Sequence, residues 1–184
     1  MTDQRPRVEI RPWEPSDRHD LQILLDVHSE GDHGWPPDGA GDLLEWMAAP
    51  CTLGRWVATR DGVVVAHTGL AAVTPDALTA LWTKATGVEP PGLAEVVRGV
   101  VHPSERRRGT ASRLTGHVMD VAIARGLVPV ACALTDREAS LAMMHRYGWR
   151  RVGETIGRRT GRPIAALVPP DSVVSAAIEL RSKS

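Results

Sequence analysis

The segment Val101-His102-Pro103-Ser104-Glu105-Arg106-Arg107-Arg108-Gly109-Thr110-Ala111-Ser112-Arg113-Leu114 decides the fold. Before it, Leu93 to Val101 is a β-branched run that reads as a strand; after it, Leu114, Val118, Val121 and Ala122 recur at helical spacing. The polar stretch between them is a turn, and Gly109 opens the helix. Free N–H groups at a helix N-terminus, together with the positive end of its dipole, bind anions. Gly109 and Ala111 leave room for a phosphate to approach the main chain, so the segment reads as a strand, a pyrophosphate-sized anion turn and a helix.

Working outward, Val8 to Arg11 alternates like a short strand, and Pro15-Ser16-Asp17 caps a helix carrying Leu21, Leu24 and Leu25. Residues 29 to 41 read as a loop rich in Gly, Pro, Asp and His around Trp35, and Leu43 to Ala48 as a second short helix. Arg55–Thr59 and Val63–Val73 flank Asp61-Gly62, a pair that favours a tight hairpin turn. A helix is expected over Asp76 to Ala85, ended by Gly87. Downstream come a strand at Val128 to Leu134, a helix at Ala139 to Tyr147 closed by Gly148, a strand at Arg151 to Ile156 and a last strand near residues 173 to 181. No internal repeat or linker interrupts this pattern. One α/β domain spanning 1–184 is expected, with its core over 8–156 and a mixed central sheet of six to seven strands flanked by helices.

Composition narrows the function. Lys+Arg and Asp+Glu are both 22, so there is no global positive field for nucleic acid or an anionic membrane, and any anion site must be local. Cys51 and Cys132 are too few for a disulfide framework and have no metal-ligand spacing, so a reducing compartment and no metal are expected. No targeting segment and no apolar run long enough to span a bilayer stands in the sequence, which makes a cytoplasmic location the expectation. The phosphate loop of nucleotide triphosphatases is excluded, because no Gly-Lys-Ser/Thr follows the glycine.

Arg106, Gly109 and Ala111 match the Gln/Arg-x-x-Gly-x-Gly/Ala signature of the GNAT superfamily of acyl-CoA-dependent N-acetyltransferases, which this chain resembles. The likeness extends to Val-His-Pro before the turn, to the Asp-Gly hairpin with its following Ala-His, and to Tyr-Gly-Trp-Arg-Arg-Val-Gly at 147–153. It implies a GNAT-like fold and acetyl-CoA as acyl donor, with direct attack by a primary amine through a tetrahedral intermediate. The backbone of Gly99, Val100 and Val101 would hold the pantetheine arm, and Arg106, Arg107, Arg108, Gly109, Thr110, Ala111 and Ser112 the pyrophosphate. The acceptor would be a small-molecule or peptide amine and the protein a monomer or homodimer, an exposed edge of the last strand permitting the dimer.

Leu93-Ala94-Glu95-Val96-Val97 resembles the segment that carries the catalytic Glu in the histone-acetylating branch, which makes Glu95 the candidate general base. Strand alternation places it on one face with Val97, Gly99 and Val101; the competing reading is a solvated carboxylate at a strand start. Where many members carry an Asn and a Tyr on the later helix, this chain has Arg137 and Met144. Tyr147 is then the candidate acid, with Ser140 roughly on the same helical face, or Tyr147 is an aromatic packed beside Gly148; Met144 reads as a core or cofactor-contacting residue. Glu30 and Trp35, with His28, Asp32, His33 and Asp38, are candidates for the acceptor rim or a plain polar loop. His67 and His102 read as structural. The missing Tyr leaves a second function class open, a catalytically impaired coenzyme A-binding or sensing module.

Overall fold

The computed structural model describes residues 8–31, 41–157 and 161–183, with the side chains of 28–31 outside the description. Two compact units are formed, Met1–Gly69 with Arg98–Val118, and Leu70–Val97 with Met119–Ser184.

In the first unit β1 (Glu9–Pro12) runs antiparallel to β2 (Gly54–Arg60), pairing Glu9 with Thr59 and Pro12 with Trp56. Asp61 and Gly62 both take positive φ, 52° and 82°, which gives the turn the twist that a two-residue hairpin into β3 (Val63–Ala72) requires. A short 3-10 turn at Pro15–Asp17 leads into α1 (Arg18–Gly31). The N-cap of this turn is Glu14, and Asp17 at its third position closes a capping box: Asp17 accepts the Glu14 N–H at 2.8 Å and a two-pronged bond from Arg11 at 2.7 and 2.6 Å. The Arg11 guanidinium holds the Asp17 carboxyl below the usual carboxylate range. The helix buries Leu21, Leu24 and Leu25 at the predicted spacing against Leu44 and Met47 of α2 (Leu43–Ala48), Val57 and Val64. From α4 (Thr110–Ala124), Arg113 donates to the Val8 carbonyl at 3.0 Å, tying the helix to the start of β1.

In the second unit α3 (Ala77–Thr86) is capped by Asp76, which accepts the Thr79 N–H at 2.8 Å, and ends at Gly87 in the left-handed region. Its Leu78 and Trp82 bury against Leu93 of β4 (Leu93–Val101) and Val128 and Val130 of β5 (Val128–Leu134). The two strands pair in parallel from Leu93↔Val128 to Val96↔Ala131. The opposite sheet face packs Val96, Ala131 and Leu167 against Met144 of α5 (Glu138–Arg146) and against Trp149. With β6 (Arg150–Ile156) and β7 (Pro163–Val168), the strands form one seven-stranded mixed sheet in the order β1-β2-β3-β4-β5-β7-β6, flanked by helices.

Two sequence expectations are corrected. The segment near 173–181 is a helix, α6 (Asp171–Arg181), and not a strand. Val173-Val174 favours a strand locally, yet Val174 and Ala177 are buried while Ile178 is 44% exposed, a one-sided stripe that only helical spacing satisfies. The basis for a dimer along a last strand edge falls with it. The strand at the end of the sheet region is instead β7, a short apolar run between Arg162 and Pro169 that inserts between β5 and β6.

Gly126, just before β5, has φ +67, and a Cβ there would lie 2.9 Å from the Arg181 Cα at the end of α6. Gly116 lies mid-helix in α4, where an added Cβ meets nothing within 4 Å. Gly126→Ala should therefore destabilise by more than about 1 kcal/mol, whereas Gly116→Ala should stabilise by roughly 0.5 to 1 kcal/mol. Urea unfolding of the two variants checks this; equal effects of one sign would refute the packing described for α6.

Candidate active site

The turn after β4 is built by side chains that occupy its first amides and leave its later ones open. His102 continues from the strand, its N–H bonded to the Val65 carbonyl at 2.8 Å. Its Nδ1 accepts the Ser104 N–H at 3.2 Å. The amides of Glu105, Arg106 and Arg108 are taken by the carbonyls of His102, Pro103 and Glu105, and that of Arg113 by Gly109. Arg107 and Gly109 then sit at φ 60° and 79°. Among the described residues the amides of Arg107, Gly109, Thr110, Ala111 and Ser112 have no hydrogen-bond acceptor. They lie where a helix start leaves orphan donors and where successive N–H groups can converge on an anion. A Cβ at Gly109 would meet nothing within 4 Å, so the space beside that residue is clear. Arg106, Arg107 and Arg108 are exposed around it.

Beneath the turn lies a feature the sequence reading missed. Glu105 is 3% exposed and receives Nε and a terminal nitrogen of Arg60, both at 2.8 Å, plus the Thr110 hydroxyl at 3.1 Å. Arg108 stands 3.5 Å away. The Arg60 hydrogen bonds, first among the causes, hold the Glu105 carboxyl below the usual carboxylate range. An acid inside a basic run was the only local sign; its partner Arg60 lies 45 residues earlier.

The strand feeding the turn is not regular. Arg98 has φ 56°, so the alternation expected to put Glu95 on one face with Gly99 and Val101 is broken between them: a left-handed residue re-aims the chain. Buried His67 donates from Nδ1 to the Arg98 carbonyl at 3.1 Å. Arg98 Nε donates to the Trp46 carbonyl at 3.2 Å, and its guanidinium lies 3.5 Å from the centroid of the Trp46 ring. Gly99 is exposed, and a Cβ on it would meet only the Thr68 hydroxyl, at 3.9 Å. A mostly apolar depression of about 250 Å³ lies beside the turn, lined by Asp20, Ile23, Leu24, Val63, Val64, Val65, His102 and Ser104.

The remaining candidates belong to the second unit. Glu95 is half-buried on β4 and its Oε1 accepts the Cys132 thiol at 3.2 Å. By alternation it shares the face of Leu93 and α3, whereas Val96 faces Met144 and α5. Met144 is 7% exposed in that apolar cluster, in keeping with the core reading. Tyr147 caps the end of α5 and is 49% exposed, so the packed aromatic beside Gly148 is not what the structure shows; the buried indole there belongs to Trp149. Ser140 is exposed and Arg137 precedes the helix without capping it through its side chain. Trp35, Asp32, His33 and Asp38, and the side chains of His28 and Glu30, lie outside the described residues. Among the described residues no cluster of His, Cys, Asp or Glu is arranged for a metal, and no helix is long and apolar enough to cross a membrane.

Comparison with known proteins meets this geometry. Residues 19–149 match the acetyltransferase (GNAT) family. No curated protein matches the chain. Among solved structures it is similar to the ribosomal-protein-S18-alanine N-acetyltransferase of Escherichia coli, at 14% identity and TM-score 0.63 over 89% of this chain and 94% of that one. It is also similar to yncA of Salmonella typhimurium, solved with its cofactor acetyl-CoA, at 19% identity and TM-score 0.64 over 87% and 91%. The ribosomal-protein-alanine N-acetyltransferase of Brucella melitensis gives 20% and 0.63 over 86% and 97%. These identities speak for a shared fold alone, whereas the family match covers most of the chain. The protein belongs to the GNAT family of acetyltransferases.

Proposed function

We propose that the protein moves an acetyl group from acetyl-CoA to a primary amine, of a small molecule or a peptide. The observation that carries this reading is the run of open amides at the start of α4, held over the buried Glu105, in a chain of an acetyltransferase family. In this reading the amides of Arg107 and of Gly109 to Ser112 hold the pyrophosphate. The guanidiniums of Arg106, Arg107 and Arg108 add charge at its rim, where water screens them. Gly99, Val100 and Val101 lie beyond the last β4–β5 pair, Val96↔Ala131, and their backbone receives the pantetheine arm. A resident metal has no part in this reading.

Bound acetyl-CoA supplies the thioester. The amine nitrogen forms a bond to its carbonyl carbon, the carbon–sulfur bond breaks, and the sulfur leaves as thiolate. An amine is protonated at neutral pH and must lose a proton to attack. Glu95 takes it, directly or through one water, and the Cys132 thiol fixes one carboxylate oxygen on the strand. Tyr147 is the candidate donor to the thiolate, and the proton that the nitrogen sheds on becoming an amide restores the phenol through solvent. Glu95 and the face on which α5 packs lie on opposite sides of this part of the sheet, which suits a base serving the acceptor and an acid serving the leaving group. Glu30 and Trp35 remain the residues proposed for the acceptor rim.

One observation favours a second reading, an acyl-CoA-binding module without catalysis: Met144 stands where many members carry Tyr, and it is buried among apolar side chains. Release of free thiol, screened over amines and peptide N-termini, separates the two. Acceptor-dependent release supports the transferase; binding of acetyl-CoA with no release over the whole panel supports the module.

Glu95→Gln should lower turnover roughly 100-fold or more with acetyl-CoA affinity little changed, and the rate should recover in part as pH rises and free amine accumulates. Turnover near wild type at pH 7 would clear Glu95 of the role.

Gly109→Val should weaken acetyl-CoA binding by about tenfold or more and Arg107→Ala by less, because the main-chain donors act at closer range than a screened side chain. Glu105→Gln should also weaken binding, by loosening the turn from below. The sign with pH follows from the lowered carboxyl: the ion pair contributes fully above the ordinary carboxylate range and is lost as pH falls through the folded value, below that range. Calorimetric titrations of the three variants check the order. Unchanged affinity in folded Gly109→Val would show that the phosphates bind elsewhere.

A further inference from the structure

A left-handed, non-glycine residue inside a strand is strained and persists only where its surroundings enforce it. Arg98 is such a residue, and Gly99, the first of the proposed pantetheine-binding positions, follows it directly. A left-handed residue aims its carbonyl differently from its regular strand neighbours, and a carbonyl turned into the interior needs a donor. The donor here is His67, fully buried in β3 between Ala66 and Thr68. Burial pushes its imidazole down to about 4, so the ring is neutral, with its one proton on Nδ1 facing the Arg98 carbonyl. Nε2 is buried with no hydrogen-bond partner among the described residues, a cost that an apolar side chain at 67 would avoid. The other end of Arg98 is held as well, by the Trp46 carbonyl and ring.

We infer that His67 is a positioning residue for acyl-CoA: its Nδ1–H locks the Arg98 carbonyl at the left-handed kink, and the kink turns the Gly99–Val101 backbone toward the pantetheine arm. The inference rests on the reading of acetyl-CoA as donor. It assigns His67 no contact with either substrate. It also gives a reason for the Ala-His after the hairpin: in a buried strand position a small-to-medium apolar residue would pack as well, and only the donor atom distinguishes histidine.

Three variants separate the hydrogen bond from packing. Asn places a side-chain N–H the same number of bonds from Cβ as Nδ1; Gln places it one bond farther; Leu has none. His67→Leu and His67→Gln should raise the dissociation constant and KM for acetyl-CoA by about tenfold or more, in line with the cost of misplacing a binding backbone. The acceptor KM should stay within about threefold, since only the donor arm is displaced. His67→Asn, which keeps the bond, should stay within about threefold of wild type for both substrates. In the free proteins, amide shifts of Gly99, Val100 and Val101 should move in the Leu and Gln variants and remain near wild type in Asn. Folded His67→Leu with unchanged acetyl-CoA affinity, or an Asn variant as impaired as Leu, would overturn the inference. If the wild type bound no acetyl-CoA, the functional reading would fall. The amide shifts would still judge the lock: no movement in Leu would reject it.

Discussion

A carboxylate buried under a cluster of arginines is the constraint on which the candidate site depends. Glu105 is 3% exposed, and it is acceptable there only because Arg60 meets it with two parallel hydrogen bonds and Thr110 with a third. Those bonds join β2 to the turn and to the first residue of α4. With the first amides of the turn already spent on His102, Pro103 and Glu105, the ones that remain open are those of Arg107 and the first residues of the helix. Removing Glu105 would leave three exposed guanidiniums with no fixed backbone beneath them. Charge alone would then attract an anion without orienting it.

The same logic governs the strand ahead of the turn. A regular β4 would carry Glu95, Gly99 and Val101 on one face; the left-handed Arg98 breaks that sequence and leaves the Gly99 backbone open to solvent. Interior polar groups offset the cost on each side, His67 at the carbonyl and Trp46 at the guanidinium. The geometry of the candidate site is thus set by groups that sit behind the backbone proposed to bind acetyl-CoA.

Much of the architecture was legible because local signals and long-range packing agree. The strand–turn–helix at 93–124, the Asp61-Gly62 hairpin and the Asp76 to Gly87 helix each carry their own punctuation, and the structure follows it closely. Prediction failed where local propensity and tertiary context differ. Val173-Val174 is β-branched, but the burial of Val174 and Ala177 makes the segment a helix. Ile164 to Val168 is a short apolar run bracketed by prolines, and only its pairing with β5 and β6 defines it as a strand. At the site, the open amides were foreseeable from a glycine before a helix. The Arg60–Glu105 pair and the His67–Arg98 bond were not, since each joins residues 31 or more positions apart and neither leaves a periodic trace. Tyr147 shows the opposite limit: a residue type and a helical offset were visible, yet it is 49% exposed while Trp149, two residues on, is the buried aromatic.

The central claim is that the turn at 102–112 binds the diphosphate of an acyl-CoA through its own backbone. Calorimetric titration of the purified protein with acetyl-CoA in the presence of chelator tests it most directly. The account predicts saturable binding at one site per chain, unaffected by chelator. No detectable heat at millimolar acetyl-CoA, or binding that disappears when metal is removed, would contradict it.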